Sequence, residues 1–263
     1  MKPTSKTSSA PLPDEIATLK HLARDIQTNA PDTNPNHIAH LDNLAGIRMY
    51  LRDANLIART LGPPPRTILD WGCGYGHMAW LLANRGYRVV AASFTNPYQQ
   101  SERLAHPAVT WLPLTDSIQI NAARHSFDAI VSSGVLEHVE SINASMTELC
   151  RILRPGGYFF LFRFPNTWSY IELISKQTNR WYHKIRMTPR ELTWLMTTYS
   201  LEVLRLGYGT MLPVNLTPRP LRWLRPLREQ HDATVTILDK TLVQLPLLAR
   251  LSTSIWLVAR KYS

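Results

Sequence analysis

The chain has 263 residues, 44% of them hydrophobic and 18% charged, with 29 Lys plus Arg against 19 Asp plus Glu and a formal net charge of +10. That length can bury a full core as one large domain, or as a domain with an added subdomain, and the apolar content excludes a disordered chain. Two cysteines exclude a disulfide scaffold and a zinc ribbon and make a reducing, cytoplasmic setting the expectation, while the +10 balance predicts an anionic partner: nucleic acid, an acidic membrane face or a phosphorylated substrate.

Residues 1–15 are rich in Ser, Thr, Pro and Lys and have no apolar core, so they read as a disordered tail and not as a secretory signal. A helix is expected from Asp14 to about Thr28, then a Pro/Asn-rich turn over Pro31–Asn36. A second helix is expected over His37–Leu61, with Ile38, Leu41, Leu44, Ala45, Leu51, Ala54, Ile57 and Leu61 at helical spacing, stopping at Gly62-Pro63-Pro64-Pro65. Arg48 lies on that apolar stripe; the first reading is an Arg that snorkels outward, the second an anion contact at a pocket edge.

Beyond the prolines, short strands alternate with helices. Strands are expected at Arg66–Trp71, Tyr87–Ser93, Ala108–Leu112, Phe127–Val131 and Tyr158–Phe164, with helices at Gly76–Asn84, Pro97–Leu104 and Ile142–Leu153; Pro113–Ser126 is weakly patterned. Near-continuous apolar strands alternating with helices predict a parallel sheet covered on both faces. Helices at Trp168–Lys176 and Pro189–Tyr199 and strands at Leu201–Tyr208 and Ser254–Arg260 complete the pattern. Between the last two strands, an insertion over Gly209–Thr253 carries an interleaved basic and apolar run at 218–228 and a helix from about Asp232 to Leu245. The first reading of that run is a helical cap with a solvated basic face, the sharper one a peripheral membrane contact. The most apolar late stretch, Leu242–Ala259, is interrupted by Gln244, Pro246 and Arg250, so no membrane crossing is expected.

The most specific chemical signal is Ile68-Leu69-Asp70-Trp71-Gly72-Cys73-Gly74-Tyr75-Gly76, an apolar strand ending in an acid, then glycines at alternate positions before a helix. Such a turn excludes side chains where the backbone must approach a ligand, at the carboxyl end of the first strand. The spacing is Gly-x-Gly-x-Gly, with His77 where a dinucleotide fingerprint has its third, close-packing glycine, which ranks a nicotinamide dehydrogenase last.

With this block, Ser126-Phe127-Asp128-Ala129-Ile130-Val131-Ser132-Ser133-Gly134-Val135-Leu136-Glu137-His138-Val139, and Glu148-Leu149-Cys150-Arg151-Ile152-Leu153-Arg154-Pro155-Gly156-Gly157-Tyr158, the chain resembles the class I S-adenosylmethionine-dependent methyltransferases. The branch it looks most like includes the ubiquinone-pathway O-methyltransferases and many small-molecule methyltransferases. The resemblance implies an α/β fold, a Rossmann-like seven-stranded sheet ordered 3-2-1-4-5-7-6 with its last strand antiparallel. It divides the chain into a helical lid (16–62), a cofactor-binding core (63–165) and an acceptor-recognition half (166–263) containing the insertion 209–253. It implies that Asp70 faces the cofactor's ammonium, that Gly72, Cys73, Gly74 and Gly76 form the cofactor turn, and that Ser132 and Ser133 line the methyl-transfer side, with Asp116 near the adenine.

Two departures from the family stand out. An acid usually ends the second strand and grips both ribose hydroxyls; here the matching position is Ser93, whose hydroxyl lacks a carboxylate's charge-assisted pair. Weaker cofactor affinity, an acid supplied from elsewhere and a catalytically degenerate binding module are the competing explanations, and the intact glycine turn favours catalysis. Some ubiquinone-pathway enzymes hold a divalent ion near this block, but three residues before Glu137 stands Gly134, and Glu137 with His138 alone makes a poor site, so no metal is expected. Candidate general bases are His138 and His183, while Cys73 and Cys150 are expected to be packing residues.

Residues 151–190 carry eight Lys/Arg against one acid, giving +7, and residues 205–263 carry nine against three, giving +6. The stretch from Tyr182-His183 to Leu216 also looks similar to methyltransferases of glycan and lipid pathways. The expected partner is therefore an anionic small-molecule, lipid or glycan acceptor, or an anionic membrane surface. RNA ranks lower, since the chain shows no RNA-binding appendage.

Overall fold

The computed structural model describes residues 13–30, 38–99, 101–177, 183–212 and 230–263. Helices α1 (Pro13–Asn29) and α2 (Leu44–Leu61) precede the alternation β1 (Thr67–Trp71), α3 (His77–Ala83), β2 (Arg88–Ser93), β3 (Val109–Pro113), β4 (Phe127–Ser133), α4 (Ile142–Ile152) and β5 (Leu153–Pro165). Then follow α5 (Tyr170–Gln177), α6 (Pro189–Thr198), β6 (Leu201–Tyr208), α7 (Asp232–Leu242), α8 (Pro246–Ala249) and β7 (Ser254–Lys261).

The strands form one sheet in the order β3-β2-β1-β4-β5-β7-β6. The pairs among β1 to β5 are parallel, and β7 runs antiparallel to both β5 and β6, as expected. Side chains alternate between two cores. On one face Ile68, Ala91, Ala129, Val131, Phe160 and Phe162 pack with Leu22, Ile47, Leu51, Ile57 and Leu81 of α1–α3. On the other Leu69, Trp71, Ile130, Phe159, Leu161 and Leu257 pack with Met146, Leu149, Leu192 and Met196 of α4 and α6. The strands are apolar at consecutive positions because both faces are covered.

Local polar groups move several boundaries. The helix expected over His37–Leu61 begins at Leu44, because Asn43 caps it and accepts from the Gly46 N–H at 2.7 Å. The helix expected over Pro97–Leu104 shrinks to a 3-10 turn at Glu102–Leu104. Upstream, the Tyr98 N–H donates to the Asn96 side chain, a local bond that competes with helix formation. Residues 114–126 form turns pinned from α4, where Glu148 accepts from the Ile120 N–H and Arg151 donates to the Ile120 and Ala122 carbonyls. The helix expected to Leu245 ends at Leu242, before Pro246 opens α8. The basic run 218–228, the turn over 31–36 and most of the tail lie outside the described residues. Among the described residues no helix is long and apolar enough to cross a membrane.

The tail boundary at residue 15 also moves, because α1 begins at Pro13 and Glu15 is buried. Its Oε1 lies 2.9 Å from Arg85 Nη1, and Arg85 also donates to Asn55 and to the Leu81 carbonyl, fastening α1 and α2 to the end of α3. Removing one member of a buried ion pair typically costs about 3 kcal/mol. Glu15→Ala should lower stability by about that amount in urea unfolding; an unchanged midpoint would show that α1 is not anchored through this pair.

Candidate active site

Between β1 and α3 the chain turns within five residues, and Gly72, Gly74 and Gly76 take φ of 71°, 55° and 75°, a region that disfavours side chains. A Cβ on Gly72 would lie 2.5 Å from Val135 Cγ2, whereas one on Gly74 would meet nothing within 4 Å. Gly72 thus permits close packing of the segment after β4, and Gly74 leaves open space above the turn. That space belongs to a cavity of about 500 Å³ whose wall includes Trp71, Gly72, Gly74, Ser93, Phe94, Asp116, Gly134 and His138. It lies at the carboxyl ends of β1 to β4, where an open α/β sheet binds ligands.

The expected cofactor residues divide into two groups. Gly72, Gly74, Ser93 and Asp116 line this cavity. Asp116 Oδ1 accepts from the Ile118 and Gln119 N–H groups, which hold its carboxyl below the usual range. Ser93 donates to the Thr95 carbonyl at 2.6 Å and accepts from Trp111 Nε1 at 3.2 Å, so its proton is committed within the protein. Asp70, Cys73, Gly76, Ser132 and Ser133 are not in the cavity wall. Cys73 belongs to the core beneath the turn, where burial pushes its thiol up to about 12, and Gly76 caps α3. Ser132 and Ser133 are the last residues of β4, not residues beyond it, and neither hydroxyl has a partner among the described residues. Asp70 is 2% exposed; burial pushes its carboxyl up to about 7 against the opposing pull of the Ala79 N–H and Arg163, and its Oδ2 has no partner among the described residues.

The two histidines meet, their ring centroids 5.4 Å apart. His138 closes the 3-10 turn Leu136–His138 after β4 and lines the cavity. His183 is clamped by Glu172 of α5, whose Oε1 lies 2.6 Å from Nδ1 and whose Oε2 accepts from the His183 N–H at 2.9 Å. Burial raises the Glu172 carboxyl, but the bonds from His183 outweigh it and hold the group low. Burial first, then the charge of His183, holds His138 low and neutral, while burial pushes Glu137 up to about 7. Glu137, His138 and His183 offer ligand atoms within 4.8 Å of one another, a set that could hold a metal ion. The expectation of no metal rested on two neighbours in sequence; folding adds His183 to them. Glu172, invisible as a site residue in sequence, is identified by its hold on His183.

A seven-stranded sheet in this order, with an open glycine turn at the end of β1, defines the class I methyltransferase fold. Residues 69–161 match a family model described as a methyltransferase domain, and this match together with the sheet order supports a class I S-adenosylmethionine-dependent methyltransferase. It is 31% identical over 121 residues to a malonyl-[acyl-carrier protein] O-methyltransferase of Methylococcus capsulatus, covering 44% of each chain. It is 26% identical over 216 residues to a ubiquinone biosynthesis O-methyltransferase of Methylobacterium nodulans, covering 73% of this chain and 82% of that one. The chain spans about half the length of the first curated relatives it matches. The fold is also similar to a Burkholderia thailandensis 1,6-didemethyltoxoflavin-N1-methyltransferase with bound S-adenosylhomocysteine, at a TM-score of 0.57 and 18% identity, covering 97% of this chain and 93% of that one.

S-adenosylmethionine is the cofactor of this class, and the residues present fit it. Gly72 and Gly74 would admit it against the backbone, and Trp71, Phe94 and Leu114, on the same wall as Asp116, would offer the adenine apolar surface.

Gly74→Ala should lower stability by only about 1 kcal/mol, the strain of a side chain at positive φ. It should weaken S-adenosylhomocysteine at least about tenfold by calorimetry, because its methyl enters the cavity. Asp70 carries a second expectation. With its folded pKa raised, the native state holds a proton that the unfolded chain releases, so stability falls as pH rises from about 4 to about 7 and then levels off. Relative to wild type, Asp70→Asn should gain about 2–3 kcal/mol between pH 5 and pH 8 in thermal melts.

Proposed function

We propose that the protein transfers the methyl group of S-adenosylmethionine to a hydroxyl of an anionic small-molecule, lipid-linked or glycan acceptor. The observation that carries this reading is the Glu172–His183 pair, whose imidazole centroid lies 5.4 Å from that of His138 in the cavity wall. The O-methyltransferase names of the relatives support it, and the charge of +6 over residues 205–263 supports an anionic acceptor.

The cofactor, when bound, supplies an activated sulfonium methyl. The chain has to align the acceptor oxygen and take its proton. Glu172 accepts from Nδ1–H of His183 and fixes its ring beside His138, and this imidazole is the group that receives the hydroxyl proton. The carboxylate then stabilises the imidazolium, and the protein releases the proton after transfer. His138, kept neutral, does not repel that imidazolium and orients the acceptor from the cavity side. Val135 and Val139 give the same wall apolar surface.

Calorimetry with S-adenosylhomocysteine tests cofactor binding; no heat at millimolar ligand sinks the reading in favour of a binding module. Incubation with S-[methyl-¹⁴C]adenosylmethionine and cell extract, followed by phase partition and mass spectrometry, tests the acceptor. Label on an acidic hydroxyl compound is expected, and label in RNA or on nitrogen overturns the assignment. His183→Ala should lower kcat by about 10²–10⁴-fold and Glu172→Gln by less, with S-adenosylhomocysteine affinity unchanged in both. Replacing Arg219, Arg222, Arg225 and Arg228 together with Ser should raise the acceptor KM and spare cofactor binding; equal loss of both refutes the placement of the acceptor at the basic half.

A further inference from the structure

β5 carries an irregularity between Leu161 and Phe164 in its pairing with β7, and within it Arg163 sits at φ 60°. Strict alternation after Phe162 would send residue 163 to the face of α4 and α6. The bulge instead keeps Arg163 on the face of Phe162 and α2. There its Cζ lies 3.9 Å from the Tyr50 ring centroid and its Nη1 lies 2.5 Å from Asp53 Oδ2. A positive φ at a non-glycine residue is retained where the surroundings over-determine it, commonly at a ligand clamp.

The rest of the guanidinium lies over Tyr50 and feels its hydroxyl, yet two of its nitrogens, Nε and Nη2, have no hydrogen-bond partner among the described residues. Nor do Asp70 Oδ2 and Glu137 Oε2, two carboxylate oxygens whose groups feel the charge of Arg163. Opposite charges buried within electrostatic reach ordinarily close into an ion pair, since an unmade hydrogen bond in the interior carries the full desolvation penalty. These groups stay apart, at the ends of β1 and β5 and just after β4, flanking the glycine turn. A zwitterion between them would satisfy both signs at once. Arg163 keeps 18% of its side-chain surface exposed, but Nε and Nη2 are themselves buried, so a carboxylate reaches them only as part of a ligand that enters the interior.

We propose that Arg163 is the receptor for the α-carboxylate of the cofactor's methionyl arm, opposite Asp70 on the ammonium side. This rests on the methyltransferase reading and adds a residue that none of the recognised sequence blocks marks as a site. Arg163 offers two parallel N–H groups, the geometry that binds a carboxylate bidentately.

The test compares S-adenosylhomocysteine with its decarboxylated analogue, 5′-(3-aminopropylthio)-5′-deoxyadenosine, which keeps the adenosine, the thioether and the amine. Wild type should bind S-adenosylhomocysteine about 30-fold more tightly by calorimetry. Arg163→Gln should lose that factor for S-adenosylhomocysteine and leave the analogue unchanged, so the ratio collapses towards one. Asp53→Asn, which removes the ion pair but keeps the guanidinium, should retain the ratio. If Arg163→Gln does not fold, Arg163→Lys serves, and it should weaken S-adenosylhomocysteine alone. Equal affinity of wild type for the two ligands, or a loss shared by both in the Arg163 variants, overturns the proposal and leaves Arg163 as a latch between α2 and β5. Failure of wild type to bind either ligand is a different result: it overturns the methyltransferase reading and this inference with it.

Discussion

Between Trp71 and His77 the backbone must leave a buried strand, pass under a ligand and start a helix within five residues. Left-handed φ values at Gly72, Gly74 and Gly76 achieve this, and no side chain could follow the same path without strain. The surroundings depend on this turn. Val135 approaches because Gly72 has no Cβ, and this places the segment after β4, with Glu137 and His138, against the end of β1. Gly76 caps α3, whose buried residues join α1 and α2 in one core. The floor of the cavity and the fastening of the helical lid are therefore consequences of one local backbone constraint.

Around that turn the protein holds more buried charge than its own residues neutralise. Asp70 and Glu137 are both pushed up to about 7 by burial, and Arg163 has contacts for only part of its guanidinium. Groups of this kind weaken a fold unless a ligand completes them, which makes them candidates for a functional site. The end of β2 shows the opposite economy. Where relatives are expected to have an acid, Ser93 is bonded to Thr95 and Trp111, and the wall beside it is formed by the exposed ring of Phe94. Buried charge is concentrated at the ends of β1 and β5 and just after β4, and Ser93 brings none to the end of β2.

The parallel sheet and the cavity's position were legible because they rest on local rules, two-sided burial making parallel strands apolar throughout and alternating glycines permitting one kind of turn, whereas the sheet order came from the resemblance to the methyltransferases. Failures came where a polar side chain competes with the backbone pattern. Asn43 starts α2 later than hydrophobic spacing suggests, and Asn96 diverts a segment read as helix. The 114–126 loop has no helix of its own to detect, because its amides and carbonyls are satisfied by Glu148 and Arg151.

The sequence by itself determined the architecture, the glycine turn and the family, since each depends on residues close together in the chain. The pairing of His183 with Glu172, the approach of His183 to His138, and the turning of Arg163 towards Tyr50 and Asp53 were decided only by the tertiary structure. The residues of each such set are separated by between 11 and 113 positions, and no local pattern encodes their distance. What brings them together is the crossing of strands in a doubly wound sheet, which gathers the ends of β1, β4 and β5 along one edge.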